Sequence, residues 1–305
     1  MAKFSELLKN LLFILLILQV APILIKSIGK QYSSFFDLKT HVGLIDIKGT
    51  LSDSKYYIKN LKKLFENKSI KAILMRIDCP GGSSGTTQAI FNEILDLKKQ
   101  YGTKPLVALI ENICASGGYY IATTADHIIA TPSAIIGSIG VYVQHPQFKQ
   151  FIEQFKVKFD ITKSGAYKTS GNPFSELTNV EKEMFQTLTD DVYKQFVNDV
   201  KQRRPQLAKS NENNWAQGKV VTGNMALQLG MIDELGSESN AIKVIKEKAP
   251  IEGEIEWIKP PKKFNLWNKI TGSDDDSSSE SETFFDKVIS KFAAKTTEES
   301  SKVYC

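Results

Sequence analysis

The chain has 305 residues, of which 42% are hydrophobic, and 39 Lys and Arg against 34 Asp and Glu give it a net charge of +5. A chain of this length can bury a full core in one domain of roughly 200–250 residues, with appendages. The basic residues form no stripe and no helix with interleaved aromatic residues, so we expect no binding to nucleic acid. The three cysteines, Cys79, Cys114 and Cys305, have no CxxC spacing, which argues against a disulfide framework and a zinc site.

The segment 7–28 is predominantly apolar and approaches the roughly 20 residues that cross a bilayer. We therefore expect residues 1–30 to form an N-terminal membrane anchor, a single transmembrane helix that stays on the protein, because no clear small-x-small cleavage site follows it. A cleaved signal peptide is the alternative. Lysines flank the segment on both sides, so the charges do not decide its orientation.

Strands and helices alternate from residue 41 onwards. The predicted strands are 41–51, 70–77, 106–110, 128–130 and 157–162, and the predicted helices include 86–101, 119–125, 146–155 and 178–203, the last opened by a capping box at Thr178. This order favours an α/β fold with βαβ units and a largely parallel sheet covered on both faces. We expect a globular domain at 31–250 and a C-terminal tail at 251–305, which contains a disordered acidic, serine-rich run.

Ser116 lies between an apolar strand and a short apolar helix, flanked by small residues. A serine at such a turn can present its hydroxyl beside unpaired backbone N–H groups, as an acyl-transfer nucleophile does. A turn that only packs a helix against a strand has the same pattern.

No histidine has a sequence context typical of a triad base, so a serine enzyme here needs another base. A lysine can serve when burial lowers its pKa from ~10.4 towards neutrality; Lys168, in a loop with small residues and Tyr167, stands out only mildly from the other lysines.

Glycine-bearing turns follow several predicted strands: Pro80-Gly81-Gly82, Ser116-Gly117-Gly118 and Gly137-Ser138-Ile139-Gly140. Sites in parallel sheets assemble at the carboxyl ends of strands, and glycine lets the backbone approach a ligand closely. None of these turns matches GxGxxG or a Walker loop, so nucleotide binding is not supported.

Taken in order, these motifs resemble the signal peptide peptidase A (protease IV) family of Ser/Lys dyad serine peptidases, in its short single-repeat form. The resemblance covers about residues 41–236. It is carried by PGG at 80–82, ASGGYYI at 115–121, GSIGV at 137–141, GAYK at 165–168, VTGNMA at 221–226 and GMIDELG at 230–236.

The resemblance implies a ClpP/crotonase-like fold and a membrane-anchored serine endopeptidase that hydrolyses cleaved signal peptides and other extended apolar peptides. Carried over position by position, Ser116 matches the nucleophile, Lys168 the general base and Ser138 the serine that orients the lysine. Gly82 and Gly117 match N–H donors of the oxyanion hole. No metal and no cofactor is implied.

Short-form members of the family assemble into rings or domes in which the serine and the lysine meet from neighbouring subunits. The resemblance therefore implies a homo-oligomer, single-pass in the membrane, with the catalytic domain on the extracytoplasmic side. Two other functions stay open: a catalytically inactive membrane scaffold of the same fold, and a crotonase-type acyl-CoA enzyme. Cys79 and Cys114, where the family more often has other residues, are interpreted as tolerated turn residues.

Overall fold

The structure, a computed structural model, describes residues 39–102 and 104–260. Its strands are β1 (Lys39–Lys48), β2 (Ile70–Cys79), β3 (Leu106–Ala115), β4 (His127–Ala130), β5 (Ile135–Gly137), β6 (Val220–Thr222), β7 (Glu234–Leu235) and β8 (Glu254–Ile258). Its α-helices are α1 (Lys55–Glu66), α2 (Ser84–Tyr101), α3 (Gly117–Ala122), α4 (Lys149–Gln154), α5 (Asn179–Arg203), α6 (Pro205–Ala208), α7 (Gly223–Leu229) and α8 (Glu238–Lys248).

All of these strands belong to one sheet. Its main path runs β6-β5-β3-β2-β1-β8, and β4 pairs with β3 and β7 to the side of that path. Every pairing is parallel except β5 with β6. Parallel neighbours need crossover connections, which the intervening helices supply. The predicted α/β fold with a largely parallel sheet is confirmed.

Helices cover both faces of the sheet. On one face, residues such as Ile45, Met75 and Ala108 pack with α1, α2 and α3. On the other face, their strand neighbours such as Leu44 and Leu74 pack against α8. Successive side chains of a strand point to opposite faces, so strands buried on both sides need continuous apolar runs. This is why the sequence could locate β1, β2 and the first half of β3.

β3 is longer than predicted and has two different neighbours on the same side. The predicted strand ended at Ile110, but the observed one continues through Glu111 and Asn112 to Ala115. Its first half pairs with β4 and its second half with β5. The polar residues that hid the extension are exposed where the strand passes from one neighbour to the next. The extension carries Ser116 past the end of β4 and places it beside β5.

The predicted strand at 157–162 is wrong, whereas the predicted helix before it corresponds to α4. Residues 157–162 have no regular structure, and Val157, Phe159 and Ile161 are exposed. The apolar alternation that suggested a strand is present, but no strand of the described residues pairs with this segment. The capping box at Thr178 is confirmed at the start of α5.

The predictions for the two ends of the chain concern residues that lie mainly outside the described ranges. The expected anchor at 1–30 and the acidic serine-rich run lie there. Within 39–102 and 104–260, no helix has the length and apolar character needed to span a bilayer. β8 pairs with β1, so the sheet continues beyond residue 250, where the sequence analysis ended the globular domain.

An ion pair between the buried Arg204 and the partly exposed Asp233 joins the end of α5 to the turn before β7. The Arg204 guanidinium donates to both carboxylate oxygens of Asp233, at 2.9 Å each, and also to the carbonyl of Gly230. The Asp233 carboxylate also accepts a hydrogen bond from the Ile128 N–H. Burial alone raises the pKa of Asp233, but hydrogen bonds and charge from Arg204 outweigh burial and hold that pKa below its usual range.

We expect Asp233→Asn to lower the free energy of unfolding at neutral pH by about 3 kcal/mol, because Arg204 is left buried without its counter-charge. A lowered folded-state pKa gives stability that is complete above the unfolded value of ~3.9 and is lost as the pH falls through the folded value. The wild-type advantage over the variant should therefore shrink in acid. Urea denaturation across this range measures it. Glu247→Gln, in the exposed pair with Lys243 at 4.0 Å, is the control, and an equal loss there would contradict the prediction.

Candidate active site

Ser116 occupies the sharp turn between β3 and α3. Its backbone has φ 51° and ψ −120°, a region that non-glycine residues rarely adopt and that costs on the order of 1–3 kcal/mol. The Ser116 N–H donates to the Gly137 carbonyl at 2.7 Å, which fixes the turn to the end of β5. Strain of this kind persists only where the surrounding structure enforces it, and here it aims a nucleophilic side chain into a cleft.

The cleft next to Ser116 has a volume of about 1410 Å³. One side is formed by the loop after β2 and the first turn of α2, the base by the start of α3, and the other sides by the segment after β5 and one face of α5. The cleft residues include Gly81, Gly82, Ser83, Thr87, Ser116, Gly117, Tyr120, Ser138, Val141, Thr189, Val192, Phe196 and Gln217. Its size exceeds the roughly 300–1,000 Å³ of a typical small-molecule pocket.

The peptide between Gly81 and Gly82 runs beside Ser116 in a fixed orientation. The Gly81 carbonyl accepts from the Leu51 N–H at 2.8 Å, and the Ser83 N–H donates to the Leu51 carbonyl at 2.9 Å. All described peptide bonds are trans, so the N–H of Gly82 points opposite to the Gly81 carbonyl. It therefore points away from Leu51 and towards the turn that holds Ser116, and it has no hydrogen-bond partner among the described residues.

Only glycine fits where the backbone around Ser116 is packed this closely. Gly81 has φ +111°, and a Cβ there would lie 2.7 Å from the Ser116 Cβ and 3.0 Å from its Oγ. A Cβ on Gly82 would lie 2.3 Å from the Leu51 carbonyl oxygen, and one on Gly117 would lie 2.4 Å from the Thr87 hydroxyl. These contacts explain the glycine spacing that the sequence displays.

Gly117 begins α3, so its N–H belongs to the first turn, where backbone donors have no partner within the helix. A Cβ built on Gly81 would lie 2.9 Å from the Gly117 nitrogen. The loop that carries the Gly82 N–H and the turn that carries the Gly117 N–H therefore lie beside the same serine. The buried Thr87 hydroxyl next to Gly117 also lacks a hydrogen-bond partner among the described residues. The Gly82 and Gly117 N–H groups and the Thr87 hydroxyl therefore all lie close to the turn that holds Ser116.

Ser138 lies on the same cleft, one residue beyond β5. It also has φ 51°, and its N–H donates to the Lys219 carbonyl at 2.6 Å. The structure thus brings together four of the residues predicted for the site: Ser116, Ser138, Gly82 and Gly117.

Lys168 is not brought to this cleft within one chain. It is exposed, in the segment between α4 and α5, and only its backbone N–H has a described bond, to the Gly165 carbonyl at 3.2 Å. Large apolar side chains of the same region are also exposed: Tyr142, Phe151, Phe155, Val157, Phe159, Ile161 and Tyr167. The lysine and these apolar groups therefore lie on one surface-exposed stretch of the chain.

The histidines all lie elsewhere. His41 contacts Ser69 and Glu256, and His127 contacts Glu234. His145 packs against Phe185 with ring centroids 4.1 Å apart. None of them lines the cleft. Within the described ranges no group of His, Cys, Asp and Glu could hold a metal ion.

Sequence reasoning missed one wall of the cleft, the polar face of α5. The sequence predicts only the helix at 178–203 and no part for it in the site, but Thr189 and Gln195 of this helix line the cleft. Tyr120 joins this wall to the nucleophile turn: its ring stacks on Phe196 at 4.4 Å and its hydroxyl donates to the Asp199 carboxylate. Burial, reinforced by that carboxylate, raises the pKa of Tyr120, so it stays a neutral donor.

The family pattern of Peptidase family S49 matches residues 98–252, half of the chain, and the chain therefore belongs to this family of SppA-like serine peptidases. By family the protein is a serine-type peptidase.

Three relatives illustrate the range of the family. The chain is 36% identical to slr0021 of Synechocystis sp., provisionally named a protease, over 76% of this chain and 83% of that protein. It is 32% identical to Protease 4 of Haemophilus influenzae, over 68% of this chain and 34% of that protein. It is 30% identical to an Enterococcus faecium protein provisionally named signal peptide peptidase SppA, over 63% of this chain and 55% of that protein.

Among solved structures, the 1510-N membrane-bound stomatin-specific protease superposes with a TM-score of 0.47 and 16% identity. The match covers 73% of this chain and 99% of that one.

We expect Gly82→Ala to lower the free energy of unfolding by about 1–3 kcal/mol, because its Cβ would meet the backbone of Leu51. Gly85→Ala is the matched control three residues on: a Cβ there meets nothing within 4 Å. Since Gly85 lies in α2, alanine should stabilise it by roughly 0.5–1 kcal/mol. Denaturant unfolding of both variants measures the difference. Equal effects in the two variants would contradict the close approach of Gly82 to Leu51.

Proposed function

We propose that the protein is a membrane-anchored serine endopeptidase that hydrolyses cleaved signal peptides and other extended apolar peptides. The observation that carries the proposal is the strained Ser116 turn, beside which lie the N–H groups of Gly82 and Gly117, with no partner among the described residues. The finer fold assignment, ClpP/crotonase-like, belongs to the same proposal and is supported by the βαβ units that end at these donors.

In the proposed reaction the Ser116 Oγ attacks the carbonyl carbon of the scissile peptide bond. Neutral Lys168 takes the hydroxyl proton, and Ser138 hydrogen-bonds to the lysine and orients it. The N–H groups of Gly82 and Gly117 stabilise the oxyanion, each contributing on the order of 3–4 kcal/mol. Lys168 then returns the proton to the leaving amine as the C–N bond breaks. The same lysine then takes a proton from a water molecule, whose oxygen attacks the acyl carbon, and returns that proton to the Ser116 Oγ as the C–Oγ bond breaks and the acid product leaves.

We propose that Lys168 reaches the Ser116 cleft of a neighbouring subunit in a ring- or dome-shaped homo-oligomer. Two features support this arrangement. Lys168 is exposed and does not line the cleft of its own chain, and the stretch that carries it exposes apolar side chains such as Phe151 and Phe155. Exposed apolar surface of this kind is typical of an interaction site.

The substrate class is supported by the size and lining of the cleft. A cleft of about 1410 Å³ holds a stretch of polymer better than a small molecule. Apolar side chains such as Val141 and Val192 alternate in the lining with polar ones such as Thr189, and backbone groups of the glycine turns lie open beside them. An unfolded apolar peptide fits these features, and signal peptide remnants are such peptides.

The dyad is tested with Ser116→Ala and Lys168→Ala on an apolar peptide and with a serine-directed covalent probe. Each substitution should lower kcat by at least about 10³-fold, because nucleophile and base act as a unit. Lys158→Ala, another exposed lysine of the same stretch, should keep wild-type activity. Cleavage that survives both substitutions contradicts the dyad. An assembled wild type that neither cleaves nor labels favours the inactive scaffold.

Co-expression of the Ser116→Ala and Lys168→Ala subunits tests the shared site. Random assembly should restore about a quarter of the sites, since an intact site needs each partner to supply the correct residue. If both residues act within one chain, every site in the mixture lacks one of them and activity stays absent. That result would overturn the intersubunit arrangement while leaving the dyad intact.

We also propose that the chain crosses the membrane once, with the peptidase domain on the extracytoplasmic side. This proposal has its own test. The full chain should sediment with membranes and resist extraction by high salt, because the segment 7–28 is apolar enough to hold it there. Deleting residues 1–30 should release the protein. Protease added to the extracytoplasmic side of sealed vesicles should digest the domain. Recovery of the full chain, with residues 1–30 intact, in the soluble fraction contradicts the anchor.

A further inference from the structure

Cys79, the last residue of β2, lies directly beneath the glycine loop of the cleft. Its side chain is completely buried. The Gly81 N–H donates to the Cys79 sulfur at 3.3 Å, and the thiol in turn faces the Gly81 carbonyl at 3.8 Å. In the sequence analysis Cys79 was interpreted only as a tolerated turn residue.

The thiol completes the fixation of Gly81. The carbonyl of Gly81 is held by the Leu51 N–H, and its N–H is held by the Cys79 sulfur. The Gly81 N–H belongs to the Pro80–Gly81 peptide and the Gly81 carbonyl to the Gly81–Gly82 peptide, so the sulfur and Leu51 together hold the two peptide planes that flank the Gly81 Cα. Glycine with φ +111° has wide backbone freedom, so without the sulfur the Pro80–Gly81 peptide could rotate, and the Gly81–Gly82 peptide would be held at its carbonyl alone.

Cys79 also supports the turn on the other side of the nucleophile. A Cβ on Gly118 would lie 2.6 Å from the Cys79 carbonyl oxygen and 3.3 Å from its sulfur. One residue therefore contacts both backbone segments that present free N–H groups to Ser116.

We propose that Cys79 is a positioning residue for peptide hydrolysis: its sulfur holds the Pro80–Gly81 peptide and, together with the bond from Leu51 to the next peptide, keeps the Gly82 N–H in place beside the oxyanion formed at Ser116. The proposal rests on the function proposed above. Burial raises the pKa of the Cys79 thiol to about 11, so the group is neutral at physiological pH and acts as a hydrogen-bond partner, not as a thiolate nucleophile.

Cys114 provides a matched comparison in the same sheet. It is the register partner of Cys79 on β3, is equally buried and is also a free thiol. Among the described residues its sulfur makes no hydrogen bond. Removing the Cys114 sulfur therefore costs packing alone, whereas removing the Cys79 sulfur costs packing and the hold on Gly81.

The test compares Cys79→Ala, Cys79→Ser and Cys114→Ala in the full-length membrane protein, by kcat, KM and Tm. Cys79→Ala should lower kcat by about ten- to a hundredfold with KM changed less than about twofold. This is a smaller loss than the 10²–10³-fold typical when an oxyanion donor is removed outright. Cys79→Ser, which restores an acceptor for the Gly81 N–H, should recover most of kcat. Cys114→Ala should lower Tm about as much as Cys79→Ala does and leave kcat near the wild-type value.

The outcomes separate this proposal from the proposed function. If the wild type cleaves peptide but Cys79→Ala keeps its kcat, or loses no more than Cys114→Ala, the positioning role is wrong and the peptidase stands. If serine fails to rescue a Cys79→Ala defect, the defect comes from packing and the role is again wrong. A wild type without cleavage or labelling defeats the proposed function, and the positioning role with it.

Discussion

The peptide between Gly81 and Gly82 is the constraint on which the site depends. Its carbonyl is bound by Leu51 beyond β1, so its N–H must face the opposite neighbour, which is the end of β3 with Ser116. The direction of this N–H follows from the order β1-β2-β3 and from the planarity of a trans peptide. The proposed oxyanion hole is thus a consequence of sheet register, and the loop only has to lack side chains at two positions.

The nucleophile turn depends on the same sheet through β3. Because β3 leaves β4 and continues beside β5, its end reaches the Gly137 carbonyl, which accepts the Ser116 N–H. The strained φ of Ser116 is held by the helix behind it: Tyr119 is fully buried and its hydroxyl donates to the Met231 carbonyl. Core packing of α3 therefore offsets strain at the turn, the usual balance at functional sites.

The sequence could locate the sheet and the nucleophile turn because both have strong local signals. Continuous apolar runs mark parallel strands, and a serine among small residues marks the turn. The second half of β3 was missed since Glu111 and Asn112 break the apolar run, and segment 157–162 was misassigned since alternation cannot reveal whether a partner strand exists. Lys168 came only from the family resemblance, because no local pattern distinguishes it from other exposed lysines. Cys79 and Gly81 are only two residues apart, but the sequence does not show that the thiol turns towards the Gly81 N–H.

Under the proposed mechanism, the separation of Lys168 from Ser116 within one chain has a consequence for activity. A cleft with nucleophile and oxyanion donors but no base is a poor peptidase, because the serine hydroxyl must lose its proton during attack. Assembly would bring the base and would cover the exposed apolar residues near Lys168 in the same step. Burial of that surface supplies free energy for association in proportion to its area. Activity would then be coupled to assembly, and an isolated subunit would be unable to cut the proteins around it.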